Sequence, residues 1–221
     1  MNMNTCCEGQ GTRLLGAMPE FIYSIARDGL YVNLFEASSI TWRHDSKSLG
    51  LTMASGFPLR PDVELHLSAA VPVRARIRVR VPAWAARQMP IRVNGATAAV
   101  GAAGSYAVLD REWNDGDTIS FTLPMDFRLT RYTGQDRVAG QERYALEYGP
   151  LLMALVGGVG EKGEALLAPA PQELLKALQP KIGEPLHFTI AGEAGREYMP
   201  YWQVTDQLFT CYPVMGAREN G

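Results

Sequence analysis

Residues 73–81 read Val-Arg-Ala-Arg-Ile-Arg-Val-Arg-Val, an unbroken alternation of apolar and other side chains. Successive side chains of a β-strand point to opposite faces, so this stretch presents one apolar face and one arginine face. A slip of one residue would turn every arginine into the core, and the register is therefore strongly specified. The stretch predicts a half-buried strand in a β-rich fold.

The basic face of this strand has two interpretations. It consists of Arg74, Arg76, Arg78 and Arg80. A row of one charge could bind an anionic ligand or an acidic surface on a neighbouring domain. It could equally be a solvated outer face, on which acidic side chains of adjacent strands pair with the arginines.

Other short strand-like runs, separated by turn residues, surround residues 73–81. Asn94-Gly95 predicts a type I′ hairpin, and Asn114-Asp115-Gly116-Asp117 predicts a second tight turn. This spacing is typical of a β-sandwich. The remaining predicted strands of this part are 30–35, 39–43, 49–54, 64–69, 90–93, 96–100 and 118–123.

A second unit is predicted to start near Asp126. Gly149-Pro150 separates two of its strands, residues 157–163 form a glycine-rich loop, and residues 171–178 form a short helix. The predicted strands are 127–132, 143–148, 151–156, 186–190, 200–204 and 209–214. The predicted organisation is a leading helical segment at 1–25, a first β-sandwich at 26–125 and a second β-sandwich at 126–221.

Two adjacent cysteines, Cys6 and Cys7, stand just before a helical pattern of apolar residues. Neighbouring cysteines rarely bridge each other, and two thiolates suit a soft metal or a nucleophile. The N-terminus of a helix also lowers a thiol pKa. The alternative is that two small apolar side chains pack beside a helix start. The apolar pattern comprises Leu14, Leu15, Met18, Phe21, Ile22 and Ile25, with Pro19 expected to kink the helix.

A zinc site at this pair lacks further ligands nearby in the sequence. Tetrahedral zinc takes three or four protein ligands. Downstream of the pair the chain offers Cys211 and three scattered histidines, which are His44, His66 and His187. If Cys6 and Cys7 bind metal, we expect their partners upstream, in sequence that this chain does not contain.

The amino-acid composition and net charge limit the classes of function that this protein can have. The 221 residues are 47% hydrophobic and 20% charged, as in globular proteins, and the net charge of −2 gives no reason to expect nucleic acid or a membrane as partner. Three cysteines form no disulfide scaffold, so a reducing, cytoplasmic location is favoured. The first residues lack the pattern of a secretory signal, and a truncated chain would have lost one.

Several motifs together resemble the β-L-arabinofuranosidases of glycoside hydrolase family 127. They are residues 6–13 (CCEGQGTR), 28–35 (DGLYVNLF), 114–117 (NDGD), 123–125 (LPM) and 146–151 (LEYGPL). The resemblance implies that a helical (α/α)₆ barrel precedes two jelly-roll-like β-sandwich domains. On this interpretation the chain is the C-terminal part of such an enzyme, and residues 1–25 are a remnant of the barrel.

The resemblance also implies a chemistry. A zinc-bound cysteine thiolate attacks the anomeric carbon of a β-linked L-arabinofuranose-containing glycan, and a glutamic acid protonates the leaving oxygen. Cys6 matches the nucleophile and a zinc ligand, and Cys7 matches a second zinc ligand. The other zinc ligands and the acid/base glutamate belong to the missing barrel, so the chain is expected to be inactive alone and to hold zinc weakly.

An alternative function is a non-catalytic β-sandwich module that binds a glycan or a partner domain. Glu8 and Glu20 have two interpretations. They are catalytic carboxylates, or they make ordinary contacts with solvent or with a helix end. Four aromatic residues could form a surface on which sugar rings stack, or they could be part of ordinary core or interdomain packing. They are Trp84, Trp113, Tyr201 and Trp202. The apolar stripe of the opening helix is expected to be poorly packed or to drive self-association.

Overall fold

The chain divides into two compact units, Met1–Pro124 and Met125–Gly221. The computed structural model describes residues 5–44, 46–134, 141–167 and 169–215, without the side chains of residues 5–8 and 44. Strands make up most of the regular structure in both units, which confirms the predicted mainly β fold class.

The described residues of the first unit form a helix followed by ten strands. In chain order they are α1 (Thr5–Ala17), a 3₁₀ turn (Met18–Phe21), β1 (Tyr23–Ala26), β2 (Gly29–Val32), β3 (Ser38–His44), β4 (Lys47–Ser55), β5 (Asp62–Ser68), β6 (Val73–Arg80), β7 (Met89–Val93), β8 (Ala96–Gly101), β9 (Tyr106–Trp113) and β10 (Thr118–Thr122). Four of these strands form one sheet in the order β1-β2-β6-β9, and six form another in the order β3-β4-β5-β10-β7-β8.

The two sheets of the first unit share one hydrophobic core. Strand β6 buries Val73, Ala75, Ile77 and Val79 while its arginines alternate on the other face, as the pattern predicts. Buried side chains of the six-stranded sheet, such as Leu51 of β4, belong to the same cluster. The alternation along the strands therefore builds a β-sandwich in the first unit.

The predicted hairpin at Asn94-Gly95 joins β7 to β8. Both residues have positive φ, 50° and 82°, which a type I′ turn requires. The side chain of Asn94 also donates a hydrogen bond of 2.8 Å to Asp117, and it accepts one of 2.8 Å from the backbone N–H of Thr118. Asp117 in turn accepts the backbone N–H of Asn114 at 2.9 Å. The two predicted turns thus stabilise each other.

The opening helix differs from its prediction at both ends. Helix α1 begins at Thr5, so the cysteine pair lies within its first turn and not before the helix, and α1 ends at Ala17 instead of continuing to Ile25. Pro19 explains the end, because proline lacks a backbone N–H and is tolerated in the first turn of the 3₁₀ segment that follows. Residues beyond this turn extend into strand β1, which pairs Ile25 with Leu30.

The end of the predicted helical segment 1–25 belongs to the first unit. Ile22 is buried in the core of the first unit, and Tyr23 packs against that core. The predicted boundary after residue 25 therefore falls inside β1. By contrast, the apolar side chains of Leu14, Leu15 and Met18 are exposed.

In the part that the structure describes, the second unit is built on a seven-stranded sheet. Its elements are β11 (Phe127–Arg131), β12 (Tyr144–Tyr148), β13 (Leu151–Val156), β14 (Leu166–Leu167), α2 (Pro171–Ala177), β15 (Leu178–Pro180), β16 (Phe188–Ile190), β17 (Glu197–Pro200), a 3₁₀ turn (Tyr201–Gln203), β18 (Phe209–Thr210) and β19 (Val214–Met215). The sheet order is β11-β12-β13-β17-β16-β15, β18 also pairs with β13, and β14 pairs in parallel with β19. The strand predicted at 200–204 is wrong: Tyr201–Gln203 is a 3₁₀ turn, and the strand precedes it.

Candidate functional site

The cysteine pair lies in the first helix of the chain. The backbone of Cys6 and Cys7 belongs to α1, while their side chains lie outside the described residues, as does that of Glu8. The pair's roles as nucleophile and zinc ligands therefore stay predictions. Glu20 is exposed in the 3₁₀ turn after α1.

The other potential zinc ligands do not gather around a common point in the described residues. His66 is exposed on β5, beside Glu64 at 3.8 Å, and the side chain of His44 lies outside the description. Cys211 is a free cysteine in the second unit, and burial raises the pKa of its thiol. A raised pKa keeps sulfur protonated, which disfavours metal binding.

Two neighbouring carboxylates pair with three of the four arginines of β6. Asp110, on the adjacent strand β9, accepts hydrogen bonds of 2.8 Å from both Arg74 and Arg76. Arg80 donates instead to the backbone oxygen of Asn33 at 3.3 Å. This pairing favours the solvated outer face over a site for anionic ligands.

Asp28, in the turn between β1 and β2, is the second of these carboxylates. Its carboxylate accepts hydrogen bonds of 2.7 and 3.1 Å from Arg78 and one of 2.9 Å from Arg76. These hydrogen bonds, above all those from Arg78, lower the pKa of Asp28 to about 2. Gly29 allows the turn to lie against β6, because its φ is 148° and a Cβ there would fall 1.9 Å from the backbone oxygen of Arg76.

We expect the substitution Asp28→Asn to make stability less dependent on pH. The folded-state pKa of Asp28 lies below its ordinary value, so the ionised carboxylate contributes stability above pH 4 that is lost as pH falls toward 2. The thermal midpoint of the variant should fall below that of the parent at pH 6, and the gap should narrow toward pH 2. Circular dichroism melts at both pH values measure it. The exposed control Asp206→Asn should show no such gap, and a constant gap for Asp28→Asn would contradict the assignment.

The four weighed aromatic residues do not form a common platform in either unit. Trp113 is fully buried and donates a 3.0 Å hydrogen bond to the backbone oxygen of Ala75. Trp84 is partly buried and stacks on Phe57 with ring centroids 6.1 Å apart. Tyr201 and Trp202 are exposed, but their rings stand at 83° to each other.

A cluster that the sequence analysis did not anticipate lies in the second unit. Donor atoms of Glu184, His187 and Glu197 all lie within 4.8 Å of one another. The turn between β15 and β16 supplies the first two residues, and β17 supplies the third. Three backbone hydrogen bonds fix this turn, the shortest being 2.8 Å from the N–H of Lys181 to the oxygen of His187. The spacing Glu184-x-x-His187 could have suggested the pair, whereas Glu197 is brought in only by strand pairing.

Lys181 occupies the outer side of this cluster. Its ammonium group lies 2.8 Å from Oε2 of Glu197 and 3.0 Å from Oε1 of Glu184. The hydrogen bond to Glu197, and then that to Glu184, raises the pKa of Lys181. Lys181 therefore stays charged and balances one of the two carboxylates.

Part of the chain is similar to a known protein family. Residues 29–125 match the family model described as the GH127 middle domain of β-L-arabinofuranosidases. This part of the chain is similar to a GH127 middle domain. The match coincides with most of the first unit, and it confirms the predicted resemblance. A search of curated proteins by sequence finds no match.

Three solved structures share the fold of the chain. A GH127 β-L-arabinofuranosidase from Geobacillus stearothermophilus T6 aligns over 95% of this chain and 37% of its own, with 20% identity and a TM-score of 0.70. A structure described as a glycoside hydrolase aligns over 97% and 40%, with 18% identity and a TM-score of 0.71. A GH127 β-arabinofuranosidase aligns over 95% and 38%, with 18% identity and a TM-score of 0.70.

The alignments cover both units but only part of the matched proteins. The chain spans 37–40% of the length of these structures. At 18–20% identity the likeness is one of fold. No helix in the described part of the chain is long and apolar enough to cross a membrane.

Proposed function

We propose that this chain is the C-terminal part of a retaining GH127-type glycosidase that acts on β-linked L-arabinofuranosides. The observation that carries the proposal is the GH127 middle-domain match over residues 29–125. The alignment of nearly the whole chain with less than half of each GH127 structure supports it. On this proposal the remaining sequence of the enzyme supplies the barrel and most of the active site.

Cys6 is the proposed nucleophile. Its sulfur forms a bond to the anomeric carbon as the bond to the leaving oxygen breaks, and a glutamic acid outside this chain protonates that oxygen. Water then releases the sugar from the sulfur, so that two displacements retain the configuration.

Cys6 and Cys7 are also the proposed zinc ligands within this chain. Two thiols supply two of the four positions of a tetrahedral site, so they fit the metal without completing the site. Zinc, when bound, keeps a coordinating thiol deprotonated at neutral pH. The pair alone is therefore expected to hold zinc weakly.

Covalent trapping tests the role of Cys6. The protein to use is residues 1–221 joined to the coding sequence that precedes them in frame, treated with an epoxide analogue of β-L-arabinofuranose. Peptide mass spectrometry with fragmentation should locate the added mass on Cys6 and not on Cys7, and the variant Cys6→Ala should lose the label. Label on a carboxylate instead of Cys6 would contradict the proposal.

A second candidate function is glycan binding without hydrolysis. The exposed rings of Tyr201 and Trp202 favour it, because exposed aromatic side chains can pack against sugar rings. Their perpendicular arrangement offers no shared flat surface. The two functions differ in their need for Cys6, since glycan binding through these rings leaves the thiol unused.

A further inference from the structure

The side chain of His187 has one satisfied and one unsatisfied ring nitrogen. Nε2 lies 2.8 Å from Oε1 of Gln203, where an N–H on the ring donates to the amide oxygen. In the neutral imidazole this tautomer leaves a lone pair on Nδ1. Nδ1 is buried and has no hydrogen-bond partner among the residues that the structure describes. The hydrogen bond to Gln203 therefore orients the ring so that the Nδ1 lone pair points into the cluster.

Two carboxylates face this nitrogen. Nδ1 lies 3.2 Å from Oε2 of Glu184 and 3.9 Å from Oε1 of Glu197. Lys181 binds the other oxygen of each carboxylate, so the facing oxygens are left for another cation. Lys181 balances only one of the two carboxylates, so a cation between the three donors would offset the repulsion that remains.

The spacing suits a metal ion. Ligand atoms at about 2.0–2.1 Å from one tetrahedral zinc ion are about 3.3 Å apart. The distance from Nδ1 to Glu184 is close to this value. The other separations in the cluster, which reach at most 4.8 Å, require rotation of the two glutamate side chains to close around an ion. The 3.2 Å contact to Glu184 is not a well-aligned hydrogen bond, as expected for two ligands of a shared ion. Glu184 is half-exposed and leaves the ion a path from solvent.

We propose that Glu184, His187 and Glu197 bind one divalent transition-metal ion of the zinc type in the second unit. The donor set of one imidazole and two carboxylates suits such an ion, with the fourth position open to water. Gln203 is the residue that orients the ring of His187, as hydrogen-bonded partners do for metal-binding histidines. The site is independent of Cys6 and Cys7.

Calorimetric titration with Zn²⁺ alone tests the proposal. The double variant Cys6→Ser/Cys7→Ser is the parent, so that the thiol pair adds no signal. We expect one ion per chain. Glu184→Gln and His187→Ala should abolish the titration, and Gln203→Leu should weaken it by about 10–100-fold. Lys181→Met should strengthen it, because it removes a competing cation. The exposed His66→Ala, on β5, is the matched control and should bind like the parent.

Two readouts separate a missing site from a misfolded variant. Far-UV circular dichroism should show each variant folded, and Glu184→Gln changes a half-exposed side chain that folding should tolerate. Co²⁺ should replace Zn²⁺ and give a visible absorption band that disappears in Glu184→Gln. Failure of the folded parent to bind Zn²⁺ would overturn the proposal, and so would binding that persists in both Glu184→Gln and His187→Ala.

Discussion

Residues 1–221 alone should hydrolyse an aryl β-L-arabinofuranoside no faster than buffer. Loss of a general acid typically lowers the rate by about 10²–10⁴-fold. Three carboxyls of the chain are poor substitutes for it. Hydrogen bonds from arginines lower the pKa of Asp28, Asp110 and Glu147, so these three groups are ionised at neutral pH. An ionised carboxylate has no proton to give to a leaving oxygen.

Release of the aryl alcohol from the purified chain measures this prediction. The variant Cys6→Ala is the control, and its rate should equal that of the unaltered chain. Clear turnover that Cys6→Ala abolishes would show that residues 1–221 hold a complete active site, contrary to the proposal.

The largest expected effect on stability comes from Trp113→Ala. Trp113 is fully buried between the sheets of the first unit, and its indole N–H donates to Ala75 on β6. Truncation of a buried aromatic side chain to alanine costs about 3–5 kcal/mol of unfolding free energy. The substitution also removes the hydrogen bond from the indole to the Ala75 oxygen, which adds to the cost.

Urea unfolding followed by far-UV circular dichroism measures the change. Val108→Ala lies on the same strand with its side chain half-exposed, and it should change the unfolding free energy by no more than about 0.5 kcal/mol. Trp113→Phe should give an intermediate loss and keeps the test informative if the alanine variant does not fold. Equal losses for Trp113→Ala and Val108→Ala would contradict a core between the two sheets.

Local patterns in the sequence predict much of the first unit. The alternation over residues 73–81 correctly gives the register of β6, because only one face of the strand can enter the core. Asn94-Gly95 correctly gives a hairpin, because both residues adopt positive φ readily. The sequence pattern does not predict strand β9, because charged residues interrupt its alternation. Ala107, Leu109 and Trp113 are nevertheless buried on one face of the strand.

Tertiary contacts decide what local patterns do not. Apolar spacing carried the predicted helix to Ile25, whereas pairing with β2 makes Tyr23–Ala26 a strand. Sheet pairing likewise determines the cluster in the second unit. Thr189 of β16 lies opposite Glu197 of β17, and this register brings Glu197 to a turn ten residues earlier. No short sequence motif predicts that Glu197 lies close to Glu184 and His187.

The resemblance was predictable because several short motifs agree along the chain. The middle-domain match covers residues 29–125, which include the motifs at 114–117 and 123–125. Cys6 lies outside this range, and its side chain lies outside the described structure. The role of the cysteine pair therefore rests on the motif at residues 6–13 and on experiment.

The most direct test of the proposed function compares hydrolysis by two proteins. One is residues 1–221 alone, and the other is the same residues joined to the coding sequence that precedes them in frame. The proposal predicts that the longer protein hydrolyses an aryl β-L-arabinofuranoside and that Cys6→Ala lowers its rate by about 10³-fold or more. Full activity of the longer Cys6→Ala protein, or the absence of any barrel-encoding sequence in frame, would contradict it.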